Sequence, residues 1–258
     1  MRAAWTGSLS FGLVHIPVRL YSASEDRSLN FKLLDRNDLS PINYQKVSRS
    51  GKKVRQEDVV RGYRIDGRYV VLNDEDLKRT DERKVETMDV VQCTNPDDIA
   101  PMYYDKPYYI EPEKRSEAVY ALFRDALEKS RRVAIARYVL REKEHIGAIF
   151  TDGRMLILNQ LRYIDEIRSP RSFDFPGKTG YSEQEMEMAI ALIDSKTRKF
   201  EPQDYKDTYT HQLHRVITQK ARGKKPQARE SEPVKPTDIS EILEMLKESL
   251  KNAPVHPK

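Results

Sequence analysis

The side chains that could carry out catalysis or bind a metal ion are few in this chain, and their spacing is poor. His211 and His214 are three residues apart on a predicted helix near Asp207 and could contact one metal ion. Two histidines in solvent or at an interface are the more common arrangement on a basic helix. Gly177-Lys178-Thr179 resembles the end of a phosphate-binding loop, but Ser172 stands in the place of that loop's first glycine. These residues predict no metal, cofactor or catalytic site.

Other reactive side chains have ordinary structural interpretations. The lone histidines His15 and His145 lie at predicted strand positions and are expected to be structural, and Cys93 is expected to be a small buried side chain. The run Asp74-Glu75-Asp76 begins a predicted helix, where carboxylates favour the positive end of the helix dipole. Four tyrosines could stack on bases or pack a sheet: Tyr103, Tyr104, Tyr108 and Tyr109. We predict that the chain is not an enzyme.

The clearest chemical pattern is positive charge in residues 31–62, which we call the arm. Between Asp38 and Glu57 the arm has no acidic residue. Residues 42–55 are predicted to form two short strands joined by a turn at 48–51, with few apolar side chains to bury. The arm either lies along a phosphate backbone or is a solvated surface hairpin. Its candidate phosphate contacts are Lys32, Arg36, Lys46, Arg49, Lys52, Lys53 and Arg55.

Composition and charge restrict the class of protein. The chain has 258 residues, of which 38% are hydrophobic and 34% charged, so part of it is expected to lie outside a packed core. The net charge of +5 favours nucleic acid or an acidic partner, and residues 208–229 form a second basic tract. The single cysteine excludes an internal disulfide and a four-cysteine zinc site. The longest apolar run, 188–193, is too short to cross a bilayer, so we expect a cytoplasmic protein without a membrane partner.

Alternating strands joined mostly by hairpins dominate the first two thirds of the chain. Asp66-Gly67 suits the two positive-φ positions of a type I′ turn, and Pro17 and Pro107 suggest edges, bends or bulges. One helix is predicted from Glu113 after Pro112, with Ala118, Val119, Leu122, Phe123, Ala126 and Leu127 on its apolar stripe. The predicted fold class is mixed α/β dominated by antiparallel β, a barrel or a sandwich. Residues 63–72 are predicted to form a hairpin, and the other predicted strands are 3–11, 13–22, 85–93, 102–110, 133–141, 146–152 and 155–163.

The chain changes character after Ser169. A linker leads to a helix with a capping box at Ser182 and Glu185, and Pro202 opens a second helix. Residues 220–236 are predicted to be a disordered basic tether, followed by a short amphipathic helix. The predicted domains are a core at 1–169 that includes the arm, a helical region at 170–219, and the tether with its terminal helix at 220–258.

Five segments, in order, carry a resemblance to a known family. They are MRAAWTGSLSFGLVHIPVRLYSA (1–23), GRYVVLNDEDL (67–77), YYDKPYYIEP (103–112), VAIARYVLREKEH (133–145) and LRYIDEIR (161–168). Together they resemble the bacterial Ku family of DNA end-joining proteins over roughly residues 1–221. Several long motifs in the same order are more specific than any single short pattern.

The resemblance implies both a fold and an activity. The fold would be a β-barrel core with a projecting DNA-encircling arm and a C-terminal helical arm. Two copies would close a ring around double-stranded DNA threaded from a free end, without catalysis, and would recruit a multi-domain ATP-dependent DNA ligase for non-homologous end joining at the nucleoid. Some family members carry paired cysteines near the tip of the arm. Here that region reads Ser48-Arg-Ser-Gly51, so no zinc is implied.

Two further sets of residues follow as hypotheses. Aromatic and aliphatic side chains on one helix face need a covering surface and are assigned to the dimer interface: Tyr205, Tyr209, Leu213 and Val216. The terminal helix is a candidate ligase dock or a second DNA contact, through Ile239, Ile242, Leu243, Leu246 and Leu250. Two other functions remain open, an open-surface nucleic-acid-binding module without end preference and a nuclease whose acidic clusters bind magnesium.

Overall fold

The computed structural model describes residues 1–73, 75–76, 86–177, 180–224 and 248. The chain divides into two compact units, Met1–Ser169 and Pro170–Lys258. In the first unit seven strands close into a barrel in the order β1-β2-β6-β9-β8-β7-β5, while β3 and β4 form a separate two-stranded sheet. The strands are β1 (Trp5–Phe11), β2 (Val14–Ser22), β3 (Arg61–Ile65), β4 (Arg68–Leu72), β5 (Thr87–Thr94), β6 (Tyr104–Pro112), β7 (Val133–Leu140), β8 (Lys143–Asp152) and β9 (Met155–Leu161).

The barrel interior is filled by alternate residues of its strands. On β2, Ile16, Val18 and Leu20 are buried while the residues between them are exposed, as expected for a strand with one face inward. Leu156 and Leu158 of β9 are fully buried in the same cluster. An eight-strand or smaller barrel is narrow enough for side chains to fill it. The predicted antiparallel β-barrel core is therefore confirmed.

One parallel pair closes the barrel. Residues 8–10 of β1 pair with residues 87–89 of β5 in parallel, whereas the other neighbouring strands of the barrel are antiparallel. At Gly7 an added Cβ would stand 2.1 Å from the carbonyl oxygen of Glu86, so only glycine allows this close approach. The amide of Ser8 donates to the same oxygen at 2.8 Å.

The two prolines of the predicted strands have different outcomes. Pro107 coincides with a register shift between β6 and β9, which confirms the predicted bulge. Pro17 does not mark an edge, because β2 is bonded to β1 on one side and β6 on the other. The carbonyl of Pro17 instead accepts the amide of Glu113 at 2.8 Å, just beyond the end of the β2–β6 ladder.

The first helix, α1 (Glu117–Ser130), begins later than predicted. Pro112 is the last residue of β6, and Arg115 has a φ of 77°, so the helix cannot start at Glu113. The buried face is also rotated from the predicted stripe, since Tyr120, Phe123 and Leu127 are buried and Leu122 is 70% exposed.

Tyr120 explains this rotation. Its hydroxyl donates to the carbonyl of Ile110 at 2.8 Å and accepts the amide of Leu156 at 2.7 Å, so it links β6 and β9 beneath the helix. A buried tyrosine needs a partner for its hydroxyl, and two strand groups provide it here. The predicted stripe omits this side chain, although it includes Phe123 and Leu127 of the same buried face.

The second unit contains α2 (Glu183–Lys196) and α3 (Thr208–Ala221). The predicted capping box is confirmed, because the amide of Glu185 donates to Ser182 Oγ at 3.2 Å and the amide of Ser182 to the Glu185 carboxylate at 2.6 Å. Pro202 does not open α3. It begins a separate 3₁₀ turn, and Asp207 caps α3 by accepting the amide of Thr210 at 2.9 Å.

The remaining elements are short 3₁₀ turns at Gln56–Asp58, Pro96–Asp98, Pro101–Tyr103, Ile164–Glu166, Pro170–Ser172 and Pro202–Asp204. Most of the predicted tether at 220–236 and of the terminal helix lies outside the described residues. Within the described part of the chain, no helix has the length and apolarity needed to cross a membrane.

Candidate nucleic-acid interface

The chain leaves the barrel after β2 and returns to it at β5. We call residues 23–73 the insertion, and they contain the whole arm followed by β3 and β4. The β3–β4 hairpin turns at Asp66 (φ 48°) and Gly67 (φ 82°), which confirms the predicted turn. Its predicted place among the core strands is wrong, because its residues are exposed apart from the half-buried Leu72. Both faces of this hairpin mix arginine with apolar side chains, so neither face suits the barrel interior.

The middle of the arm is a turn with little strand on either side. The amide of Gly51 donates to the carbonyl of Ser48 at 2.9 Å, which confirms the predicted turn at 48–51. The predicted strands on either side reduce to one isolated bridge between Val47 and Lys53. An isolated ribbon without an apolar face has nothing to stabilise a longer ladder.

The base of the arm is a second tight loop. Leu34 and Pro41 form an isolated bridge, and Leu39 has a φ of 58° inside it. An acidic side chain in this loop accepts a hydrogen bond from the backbone. The Asp38 carboxylate accepts the amide of Ser40 at 2.9 Å, and this hydrogen bond lowers the pKa of the Asp38 carboxyl. The carboxylates of this loop therefore stabilise its own turns, and they lie outside the basic turn at 48–51.

The candidate phosphate contacts are all exposed, but they are not equivalent. Arg55 pairs with Glu57 at 2.9 Å and with Asp58 at 3.2 Å, so much of its charge is already neutralised. Lys46 donates to the side chain of Gln56 at 2.5 Å. Within the described chain the other candidates form no ion pair: Lys32, Arg36, Arg49, Lys52 and Lys53.

Further cations lie on the β3–β4 hairpin. Arg61, Arg64 and Arg68 are exposed there, together with Tyr63 at 65% and Tyr69 at 73% exposure. Arginine and tyrosine side by side can contact phosphate and stack on bases. These residues are missing from the predicted contacts because the hairpin was assigned to the core. The alternation of arginine with aromatic residues, without one purely apolar face, is the signal that could have placed them outside.

The residues that could bind metal are not gathered together. Among the described residues no three histidine, cysteine, aspartate or glutamate side chains are placed to hold an ion. Cys93 is exposed, against the prediction that it is buried. His145 packs against Tyr138 with ring centroids 5.7 Å apart, and burial lowers its pKa. His15 is exposed on β2.

The tyrosines of β6 divide between packing and exposure. Tyr108 is buried in the core, and Tyr104 packs on Phe150 with ring centroids 5.9 Å apart. Tyr109 is 40% exposed. Lys178 and Thr179 of the loop-like motif, Asp74, and most of the predicted helix that follows Asn73 lie outside the described residues.

The second unit exposes much apolar surface. No residue of α2 or α3 is buried. Of the predicted dimer contacts, Tyr205 is 63% and Tyr209 72% exposed, while Leu213 and Val216 are half-buried. Tyr205 stacks on Phe200 at 5.3 Å, before the start of α3. Exposed apolar surface on this scale is typical of an interface. The predicted docking residues Ile239, Ile242, Leu243, Leu246 and Leu250 lie outside the described residues.

Comparison with known families agrees with this architecture. Residues 10–188 match the family Ku, described as the Ku70/Ku80 beta-barrel domain. The chain belongs to the Ku family. The Ku match spans the last two residues of β1, all the other strands and the whole insertion, so the exposed arm and the β3–β4 hairpin lie within the family domain.

Similar proteins cover nearly the whole chain. It is 37% identical to the non-homologous end joining protein Ku of Opitutus terrae over 254 residues, which is 97% of this chain and 91% of that protein. The Ku protein of the same name from Pseudomonas aeruginosa is 32% identical, over 97% of this chain and 88% of its own. That of Bacillus subtilis is 33% identical, over 97% and 82%.

Proposed function

We propose that this chain binds the ends of double-stranded DNA, without catalysis of its own, in the repair of breaks by non-homologous end joining. Membership of the Ku family and similarity to proteins named for end joining support this function. The observation that carries it is the exposed arm, whose tip presents Arg49, Lys52 and Lys53 without acidic partners in the described chain. Lysine and arginine contacts to phosphate position a protein on DNA without reading its sequence, as breaks at any sequence require.

The second step of the proposal is a homodimeric ring. A duplex enclosed by two copies can enter only from a free end, which would make end binding a matter of topology rather than chemistry. The exposed apolar side chains of α2 and α3 support self-association, since Ile193 is 64% and Tyr209 72% exposed. A second copy that covered them would remove this surface from water.

The decisive experiment compares one plasmid in linear and closed circular form, at equal mass and about 100 mM salt, where phosphate contacts still hold. Retention of the linear form alone, lost when bulky groups block both ends, is expected. Equal retention of both forms would replace the ring by an open-surface nucleic-acid-binding module. Shortening of end-labelled linear DNA in the presence of magnesium would instead support a nuclease.

Dimer formation has its own test. Light scattering at micromolar concentration should give twice the chain mass, and the double variant Ile193→Asp/Tyr209→Asp should give the monomer. The matched control is Leu122→Asp, which places a charge at an apolar position that is 70% exposed on α1 in the barrel unit. A monomer from the unaltered chain would remove the ring.

The proposed protein partner is a multi-domain ATP-dependent DNA ligase that the ring recruits and stimulates. Its proposed docking segment contains Ile239 and Leu246, with the alternative that this segment contacts DNA. Truncation after Pro236 separates the two roles, because loss of ligase stimulation with unchanged DNA affinity indicates a dock. If both quantities stay unchanged, the segment has neither role.

A further inference from the structure

A cavity of about 880 Å³ opens where the insertion leaves the barrel. Its lining includes Arg2, Ser24 and Arg27 at the start of the insertion, and Tyr109 and Arg141. All of these residues belong to the first unit. The amide of Ala23 donates to the carbonyl of Pro107 at 3.0 Å, which fixes the insertion against β6 beside the cavity. The volume falls within the roughly 300–1,000 Å³ of common ligand sites.

The cavity is strongly basic. Three guanidinium groups line it against one carboxylate, that of Glu25, which pairs with Arg27 at 3.5 Å. Arg2 and Arg141 form no ion pair with any described residue. A guanidinium offers two parallel donors that match two oxygens of a phosphate, so arginine is favoured where phosphate is held in a defined orientation. Two such groups at one cavity indicate an anionic ligand.

Arg141 is placed here by an unusual turn. Leu140 of β7 pairs with Lys143 of β8, so Arg141 and Glu142 are the two central residues, with φ values of 54° and 64°. Hairpin turns with two positive φ angles favour asparagine and glycine, because other side chains are strained there. Strained backbone of this kind recurs where a side chain is held for a ligand. The arginine at this turn is the part that reaches the cavity.

Tyr109 adds an aromatic surface to this charge. It lies on β6 opposite Tyr21 of β2, and it is 40% exposed beside the arginines. Aromatic rings next to arginines bind single-stranded nucleic acid, since each base can stack on a ring while its phosphate is held by a cation. A paired base within a duplex has no free face for such stacking.

We propose that this cavity binds single-stranded DNA at a broken end, with phosphates on Arg2 and Arg141 and a base on Tyr109. The site deepens the proposed function, on which it rests, by giving overhanging ends a contact that blunt ends lack. The cavity adjoins the first residues of the insertion that carries the candidate duplex contacts. A free nucleotide shares the same chemistry, and the test separates the two sources.

The test uses the full chain and two short duplexes, one blunt and one with a single-stranded overhang of about ten nucleotides. The double variant Arg2→Gln/Arg141→Gln should lose about 10–30-fold in affinity for the overhang duplex at 100 mM salt. Each lost phosphate contact on single-stranded DNA lowers the slope of log affinity against log salt by about 0.7. Its affinity for the blunt duplex should be unchanged. Tyr109→Leu should also weaken overhang binding, and Tyr109→Phe should not.

The matched control is Arg154→Gln. Arg154 is exposed in the β8–β9 turn, at the opposite end of the barrel from Arg141, so its loss should affect neither duplex. Equal losses on blunt and overhang duplexes, or no loss on either, would overturn the site. Competition by ATP that depends on Arg141, without any overhang preference, would overturn it in favour of a free nucleotide.

The outcome is independent of the ring. If closed circular DNA is retained as well as linear DNA, end threading fails, yet binding of a free single-stranded oligonucleotide still reports on Arg2, Arg141 and Tyr109. Unchanged thermal unfolding of each variant shows that the barrel is intact. The single variant Arg2→Gln, outside any strand, keeps the test valid if the change at the strained turn of Arg141 prevents folding.

Discussion

The barrel and the insertion place their large apolar side chains in opposite environments. In the barrel, Leu9, Val18 and Leu158 are fully buried, whereas in the insertion Tyr44 is 83% and Val70 46% exposed. Burial of apolar surface is the main favourable term in folding, so the barrel has its own source of stability. A two-stranded ribbon is marginal by itself in water, so the insertion is expected to add little to the stability of the chain. We therefore predict that folding stability and DNA binding can be separated in this molecule.

The sharpest test of that separation removes charge from the arm. The triple variant Arg49→Gln/Lys52→Gln/Lys53→Gln should lower affinity for linear duplex DNA by roughly 10²-fold or more at 100 mM salt. The slope of log affinity against log salt should fall by about 2.7 for each chain on the duplex, at about 0.9 per phosphate contact. Thermal unfolding should not change, since all three side chains are exposed.

The matched control takes the same charge from the barrel unit. Lys129→Gln/Arg132→Gln/Arg154→Gln removes three exposed cations far from the arm in sequence. Salt titration of both variants by fluorescence anisotropy separates a local contact from a change in net charge. Equal losses of affinity and slope in the two variants would mean that the arm makes no privileged contact.

The converse variant leaves the cations of the arm unchanged and removes a side chain from the barrel core. Leu158→Ala removes a fully buried side chain and should lower the free energy of unfolding by about 2–5 kcal/mol, because a cavity remains. Val70→Ala in β4, at a half-exposed position, should change it by no more than about 0.5 kcal/mol. Denaturant unfolding measures both. Similar losses would show that the β3–β4 hairpin contributes to the folded core after all.

Local patterns were enough to predict a fold dominated by antiparallel strands, whereas the choice of a barrel over a sandwich came from the family resemblance. Alternation along β2, with Ile16, Val18 and Leu20 inward, sets the strand and its buried face, and Asp66-Gly67 sets a hairpin turn through its φ preferences. These are properties of neighbouring residues, so a single sequence contains them. Charge also acts locally, and the exposed cations of the arm were identified from their spacing alone.

Contacts between residues far apart in the sequence could not be predicted in the same way. The mixed faces of residues 63–72 indicate exposure, but they do not identify the pairing partner of the hairpin. Tyr120 takes its place on the buried face because of Ile110 and Leu156 on other strands. The partial neutralisation of Arg55 by Glu57 and Asp58 depends on a 3₁₀ turn that composition does not reveal. Sequence periodicity gives faces, and packing decides which of them are covered.

Tyr120 gives a smaller but specific effect on the barrel. Tyr120→Phe keeps the ring and removes the hydroxyl, which leaves the amide of Leu156 and the carbonyl of Ile110 without this partner. Unfolding free energy should fall by about 1–3 kcal/mol, the usual cost of unsatisfied buried groups. Phe123→Tyr would not restore it, since the lost bonds are at another position. A Tyr120→Phe variant as stable as the original chain would mean that water replaces the hydroxyl.

The smallest predicted effect is a pH dependence within the barrel. Burial lowers the pKa of His145, and nearby Lys143 acts in the same direction, while a hydrogen bond with Leu140 and the charges of Glu166 and Asp105 act against it. Because the unfolded chain binds the proton more readily, stability should be complete above about pH 6.5 and fall as pH drops below it. The His145→Gln variant should therefore lose less thermal stability between pH 7.5 and pH 5.5 than the original chain. His15→Gln, exposed on β2, is the control and should leave that difference unchanged. An unaltered difference in His145→Gln would assign the pH dependence to other groups, because no proton would then be linked to this ring.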